Sequence, residues 1–222
     1  KENVLYSKDE TKLYFFISYK QYDILEIPET INYICSYAFD NCYGDSLVLP
    51  KELFTTDDDF YMETFNNYYY NGTLEDWFKL NYTGINFDGS NFYMKNNNNE
   101  YYLASNLEEL IIPSGVTEIK HISLHIFENL EILVLPSSIK TIKDSIYDSY
   151  TAIYYDGTID EFNKIEYNNL NYHLMLRAEK FFAKNANDEY EEVLERELII
   201  PNNITVLSGL TTNHKDKITS IV

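Results

Sequence analysis

All five prolines of this 222-residue chain close a short apolar segment of one pattern. The segments are Leu25-Glu26-Ile27-Pro28, Leu47-Val48-Leu49-Pro50, Leu110-Ile111-Ile112-Pro113, Leu133-Val134-Leu135-Pro136 and Leu198-Ile199-Ile200-Pro201. Two periods are nested in their spacing. Pro28 and Pro50 lie 22 residues apart and Pro113 and Pro136 lie 23 apart, while Pro28 to Pro113 is 85 and Pro113 to Pro201 is 88. Self-similarity at roughly 20–50 residues marks a solenoid, because one such unit cannot bury its apolar face alone and stacked copies can.

Each segment has the logic of a strand. Side chains alternate between faces, so the residues one and three before proline point inward and those two and four before point outward. Proline then ends the ladder, because it has no N–H to donate and a fixed φ. Apolar residues follow at three and six after it: Ile31 and Ile34, Val116 and Ile119, Ile139 and Ile142, Ile204 and Leu207. That spacing, with no long amphipathic run, predicts tight 3₁₀-like or extended turns. An aromatic comes next, at Phe39, Phe127 and Tyr147.

A second motif keeps the long period without any proline. Tyr69-Tyr70-Asn71-Gly72-Thr73-Leu74-Glu75-Asp76-Trp77 returns 85 residues on as Tyr154-Tyr155-Asp156-Gly157-Thr158-Ile159-Asp160-Glu161-Phe162. Lys95-Asn96-Asn97-Asn98-Asn99-Glu100-Tyr101 returns after 89 as Lys184-Asn185-Ala186-Asn187-Asp188-Glu189-Tyr190. Thr73 with Asp76, and Thr158 with Glu161, have the capping-box spacing of a helix start. Leu74, Trp77 and Phe78, and Ile159, Phe162 and Ile165, fit one face of a two-turn helix. Asn71-Gly72 reads as a turn, and residues 96–99 and 185–188 as hairpin tips. The whole chain, 1–222, reads as one repeat solenoid with modules of roughly 1–90, 91–180 and 181–222. Residues 218–222 have the composition of a further strand, which reads as a fragment of a longer array.

Charge and composition exclude several functions. Thirty-six acids against 17 bases give a formal charge of −19, which opposes a nucleic-acid backbone and anionic membrane surfaces alike. No apolar run reaches the length of a membrane-spanning helix, so direct membrane insertion is not expected. Cys35 and Cys42 are the only cysteines, without zinc-type spacing; two buried thiols or a disulfide both fit. His121 and His125 stand four apart but lack the intervening glutamate of a metalloprotease helix, and His173 and His214 stand alone. Asp57-Asp58-Asp59 lacks the alternating ligands and glycine of a calcium loop. Pairs such as Glu108/Glu109 and Glu191/Glu192 are ordinary in so acidic a chain. No catalytic residue, metal site or cofactor is expected. Asn71, Asn81 and Asn203 match the glycosylation sequon, the first better explained as turn and cap.

Leu25-Glu26-Ile27-Pro28-Glu29-Thr30-Ile31-Asn32-Tyr33-Ile34, followed by Ala38-Phe39-Asp40-Asn41-Cys42, resembles the BspA-type leucine-rich repeats. The Tyr-Tyr-x-Gly-Thr segment resembles an element often found between groups of those repeats. Cys35 departs from the family's usual glycine, residues 51–65 are degraded, and 120–127 hold about three extra residues. The resemblance implies a leucine-rich-repeat solenoid of the β-rich α/β class, a right-handed curved array with short helical turns and inserted helix–hairpin segments. It also implies a secreted or surface-anchored protein, mostly of host-colonising bacteria, acting as an adhesin or protein-binding module. The repeat has no catalytic residues to carry over.

The candidate binding surface is the outward side of the strands. The residues two before proline are Glu26, Val48, Ile111, Val134 and Ile199; those four before are Ile24, Ser46, Glu109, Ile132 and Glu197. Glu26, Val48, Glu109, Ile111, Ile132, Val134, Glu197 and Ile199 form the expected face, an apolar stripe of the kind that marks binding sites, unless inserts cover it. The tyrosines at 68–70, 101–102 and 154–155 serve either recognition or packing inside the inserts. The expected function is a non-enzymatic protein-binding or adhesion module, extracellular or on the cell surface, with a host or bacterial surface protein as partner. The alternatives are a structural spacer and a carbohydrate-binding module.

Overall fold

The structure, a computed structural model, describes residues 4–16, 20–35, 38–39, 42–52, 60–61, 65–80, 85–87, 90–120, 124–143, 150–167, 174, 177–194, 196–198 and 218–221. It packs as two compact units: residues 1–107 with 125–128, and 108–124 with 129–222.

In the first unit the elements run β1 (Val4–Tyr6), β2 (Lys12–Phe16), β3 (Lys20–Glu26), β4 (Tyr33–Ile34), β5 (Cys42–Leu49), β6 (Phe60–Tyr61), β7 (Phe65–Thr73), α1 (Leu74–Lys79), β8 (Ile85–Asn86), β9 (Asn91–Lys95) and β10 (Tyr101–Leu103). Strands β3, β5, β7 and β9 are neighbours in one parallel sheet, and β10 returns antiparallel on β9. Of the two-residue strands, β4 adds in parallel to β2, which pairs antiparallel with β1, and β6 pairs in parallel with β8. Each turn of chain thus lays down one long strand and one short one.

The second unit repeats this plan with β11 (Glu109–Ile111), β12 (Glu118–Ile119), β13 (Ile132–Pro136), β14 (Thr141–Ile142), β15 (Tyr150–Asp156), α2 (Ile159–Phe162), β16 (Glu166–Tyr167), β17 (Ala178–Lys184) and β18 (Tyr190–Glu192). Its long-strand sheet has the order β11-β13-β15-β17-β18, parallel until the last antiparallel hairpin, and its short strands stack as β12-β14-β16. Beyond them β19 (Arg196–Leu198) and β20 (Ile218–Ile221) pair in parallel, so the strand expected near the end is present over Ile218–Ile221.

The proline segments explain this geometry. Ile31, Val116 and Ile139 each donate their backbone N–H to the carbonyl of the proline three residues earlier, at 2.9, 3.2 and 3.2 Å. That single turn brings the third residue inward, and the sixth then lies in a short strand. Ile31, Ile34, Ile119 and Ile142 are all buried, as are Leu47, Leu49, Leu133 and Leu135 before the prolines. Stacked copies bury what one copy would expose, at about 25 cal/mol per Å² of apolar surface.

Both capping boxes form. The Thr73 and Thr158 hydroxyls accept from the N–H groups of Asp76 and Glu161, whose carboxylates reach back to the threonine N–H groups. Trp77, Phe78, Phe162 and Ile165 turn inward. α2 ends after one turn, not two, because the N–H groups of Lys164 and Ile165 bond three residues back, tightening the chain and driving Ile165 into the core.

Two further sequence expectations are corrected. Asn71-Gly72 forms no turn: β7 runs through it to Thr73, and the register with β9 slips between Tyr69 and Thr73. Ser46, expected outward, is 5% exposed. So short a side chain is covered by its register neighbours Ile24 and Asn67. The β1–β2 hairpin is a third copy of the two Asn-rich hairpins. Glu10, Asn99 and Asp188 stand 89 residues apart, all left-handed with φ of 54°, 63° and 65°. Ser7 Oγ accepts backbone N–H bonds at this tip where Asn96 and Asn185 use Oδ1.

Candidate binding face

Strand alternation divides the tyrosine runs. Tyr68 and Tyr70 point into the core of the first unit and Tyr155 into that of the second, whereas Tyr69 and Tyr154 point out and are half-buried. Parallel register then sets the outward residues side by side. In the first unit Glu26 pairs with Val48, Val48 with Tyr69, and Tyr69 with Tyr93. In the second, Ile111 pairs with Val134, Val134 with Tyr154, and Tyr154 with Phe182.

These rows end in the same aromatic cluster, built twice. Tyr69 and Tyr93 stack with ring centroids 4.5 Å apart at 7°, and Tyr101 from β10 meets Tyr69 edge-on at 5.1 Å and 80°. Tyr154 and Phe182 stack at 4.6 Å and 7°, and Tyr190 from β18 meets Tyr154 at 5.2 Å and 80°. A lysine lies over the edge ring in each: Lys95 Nζ is 5.3 Å from the Tyr101 centroid and Lys184 Nζ 5.8 Å from that of Tyr190. The geometry follows from the 4.7–4.9 Å spacing of neighbouring strands, which is also a stacking distance.

Polar bonds fix the edge tyrosines. The Tyr101 hydroxyl donates to Asn71 Oδ1 at 2.5 Å, and Asn71 Nδ2 donates to Glu29 Oε1 at 2.6 Å. In the second unit Asp156 takes the place of Asn71; it pairs with Lys184 Nζ at 2.5 Å, which also lies 2.9 Å from Asp188. Hydrogen bonds to these carboxylates, Asp156 foremost, push the lysine pKa up. Burial, then the nearby acids Glu26 and Glu29, raises that of Tyr101, so it stays a neutral donor.

The flanks of the two clusters differ. Beside the first runs an amide ladder: Asn91 Nδ2 donates to Asn67 Oδ1 at 3.0 Å, and Asn67 Nδ2 to the Asp45 carbonyl at 3.2 Å. The matching row in the second is Ile132, Ala152 and Lys180. Of the residues expected on this face, Ile111 is 62% exposed, Glu26 and Glu109 are exposed, and Val48, Ile132 and Val134 are half-buried. Ile199 lies outside the described residues, and Glu197 is described only as part of β19. Tyr69, Tyr101 and Tyr154 were named with recognition and packing both open, while Tyr93, Phe182 and Tyr190 were named for neither. The signal that could have found those three is the hairpin repeat 89 residues apart, read with strand alternation.

Among the described residues no group of three or more His, Cys, Asp or Glu comes together to hold a metal ion. His121, His173, His214 and residues 57–59 lie outside them. Cys35 and Cys42 are not joined by a disulfide. No described helix is long and apolar enough to cross a membrane.

A family model described as the BspA type leucine rich repeat region matches in six copies, over residues 9–154 and 78–184. No curated protein matches the chain. Among solved structures, the crystal structure of a leucine rich cell surface protein from Faecalibacterium prausnitzii A2-165 is similar to the chain at 13% identity. It covers 100% of this chain and 71% of its own, with a TM-score of 0.48.

Proposed function

Since the chain belongs to the family of BspA-type leucine-rich repeats, we propose that it is a non-enzymatic protein-binding or adhesion module of a secreted or surface-anchored protein. Its binding face is the outer side of the long-strand sheets. The observation that carries this reading is the aromatic cluster built twice in the same geometry, with Ile111 62% exposed in register beside the second copy. Tyrosine and phenylalanine give rigid contact area at low entropic cost, the usual make-up of an interaction hot spot. The two inner rings of each cluster spend one face on each other, which disfavours them as a sugar-stacking platform.

The test is capture of a host or bacterial surface protein by the intact chain, compared with an Ile111→Asp/Val134→Asp variant and with Tyr154→Ala. Loss of capture at unchanged unfolding midpoint supports the face. Undiminished capture by both variants removes it, and no specific capture of any protein leaves the spacer reading.

A further inference from the structure

The second unit contains a cleft of about 520 Å³ between the turn after Pro136 and the chain around α2. It shares no residue with the outer face. Ser137, Lys140, Thr141, Tyr155 and Lys164 supply its polar donors.

In the first unit the counterparts of Ser137 and Tyr155 are engaged with neighbouring groups. Lys51 follows Pro50 as Ser137 follows Pro136. Lys51 Nζ pairs with Asp76 Oδ1 at 2.9 Å, and its carbonyl accepts the Tyr70 hydroxyl at 2.9 Å. Tyr155 is the copy of Tyr70, 85 residues on, and is 1% exposed. Its ring reaches the start of α2: a Cβ added to Gly157 would lie 2.8 Å from Tyr155 Cε1 and 2.9 Å from Glu161 Oε2. Tyr155 lines the cleft. Among the described residues Lys140 and Lys164 form no ion pair, in a chain where acids outnumber bases 36 to 17.

The Tyr155 phenol and the Lys140 and Lys164 ammonium groups, lining one cleft, make a donor set for an oxyanion, with Lys164 also acting on the Glu161 carboxylate. The volume is far beyond that of a lone phosphate and lies in the range of small-molecule sites. Glu161 and Glu166 line the same cleft and can only accept, so the rest of the ligand must donate, as hydroxyl groups do. Ile139 and Ile165 offer an apolar wall to its C–H surface. We propose that this cleft binds a small hydroxylated carboxylate of the size of an acidic sugar.

The experiment titrates the intact chain with glucuronate, and in parallel with glucose and inorganic phosphate, following backbone amide shifts by ¹H–¹⁵N NMR. The expected result is a saturable perturbation confined to the cleft with glucuronate, at least about tenfold weaker with either other probe. Lys140→Ala/Lys164→Ala, on exposed side chains, should weaken it by about tenfold or more, and Tyr155→Phe, which keeps the buried ring, by several-fold. The proposal is overturned by no saturable shift with glucuronate, by equal binding of phosphate or glucose, or by full binding in the double lysine variant with native circular dichroism.

Discussion

Gly72→Ala should destabilise the first unit by about 2–4 kcal/mol. A Cβ at this position would stand 2.5 Å from Cε1 and Cζ of Tyr70 and 2.6 Å from its hydroxyl oxygen. Unstrained carbon contacts begin at about 3.5 Å, so the ring would have to move by about 1 Å. It has nowhere to go: Tyr70 is fully buried, lies edge-on to Trp77 at 5.4 Å, and donates to the Lys51 carbonyl. Overpacking of this kind costs about 1–3 kcal/mol and the lost hydrogen bond about 0.5–1.5 more. Left-handed backbone is not the reason, since the described glycine with positive φ is Gly115. Gly157→Ala is milder, with its nearest ring contact at 2.8 Å, so about 1–2 kcal/mol is expected. Trp77 is the only tryptophan and packs on Tyr70, so its fluorescence reports the affected site directly. In urea, with a slope of about 1–3 kcal/mol per molar, the Gly72→Ala midpoint should fall by about 1–2 M. A shift under about 0.3 M, or a larger loss in Gly157→Ala than in Gly72→Ala, would refute the steric account.

Two further predictions concern titrating groups. Burial works against the Asp76 carboxylate, yet the Thr73 N–H and the Lys51 ammonium hold its pKa below the ordinary 3.8. A folded pKa below the unfolded one stabilises above that ordinary value and loses the contribution as pH falls through the folded value. The urea midpoints of wild type and Asp76→Asn should therefore converge below about pH 4, and a pH-independent difference would contradict the cap's ionic character. Burial pushes the Cys42 thiol from 9.0 to about 11, which cuts its thiolate fraction about a hundredfold. Alkylation at pH 8, read by mass spectrometry, should be at least that much slower at Cys42 in native protein than in denaturant; equal rates would contradict its burial.

What could be read from the chain was whatever depends on neighbours a few residues away or on a fixed period. The Leu-x-Ile/Leu-Pro segments carry their own inward pair and their own stop, so β3, β5, β11 and β13 were legible, and so were the capping boxes at Thr73 and Thr158. The rest needed partners distant in sequence. Asn71-Gly72 carries the local signal of a turn, and only the Tyr70 ring lying across it shows why glycine sits in a strand. The β1–β2 hairpin escaped notice because Ser7 replaces the asparagine of the other tips while making the same kind of bond. Strand alternation was anchored to proline, and β7 and β15 contain none, so Tyr69 and Tyr154 had no reference to say which way they faced.

The comparison of the two units with each other locates what is structural and what is open to function. Buried positions repeat in kind: Tyr70 and Tyr155, Trp77 and Phe162, Phe92 and Phe181 all stay aromatic, because the same space must be filled to the same density. No packing demand of that sort acts on the outward rows. There Asn67 and Asn91 give way to Ala152 and Lys180, and Ser46 to Ile132. In the first unit one outward row, Asn67 with Asn91, is an amide ladder whose hydrogen bonds are already used internally, next to Ile24, which is 68% exposed. The second leaves an apolar strip running from Ile111 through Val134 to Tyr154. Desolvating the strip releases apolar surface from water with no polar bond to break, whereas docking on the ladder must replace bonds already made. On the proposed reading, the strip of the second unit is the place where single substitutions should separate binding from folding.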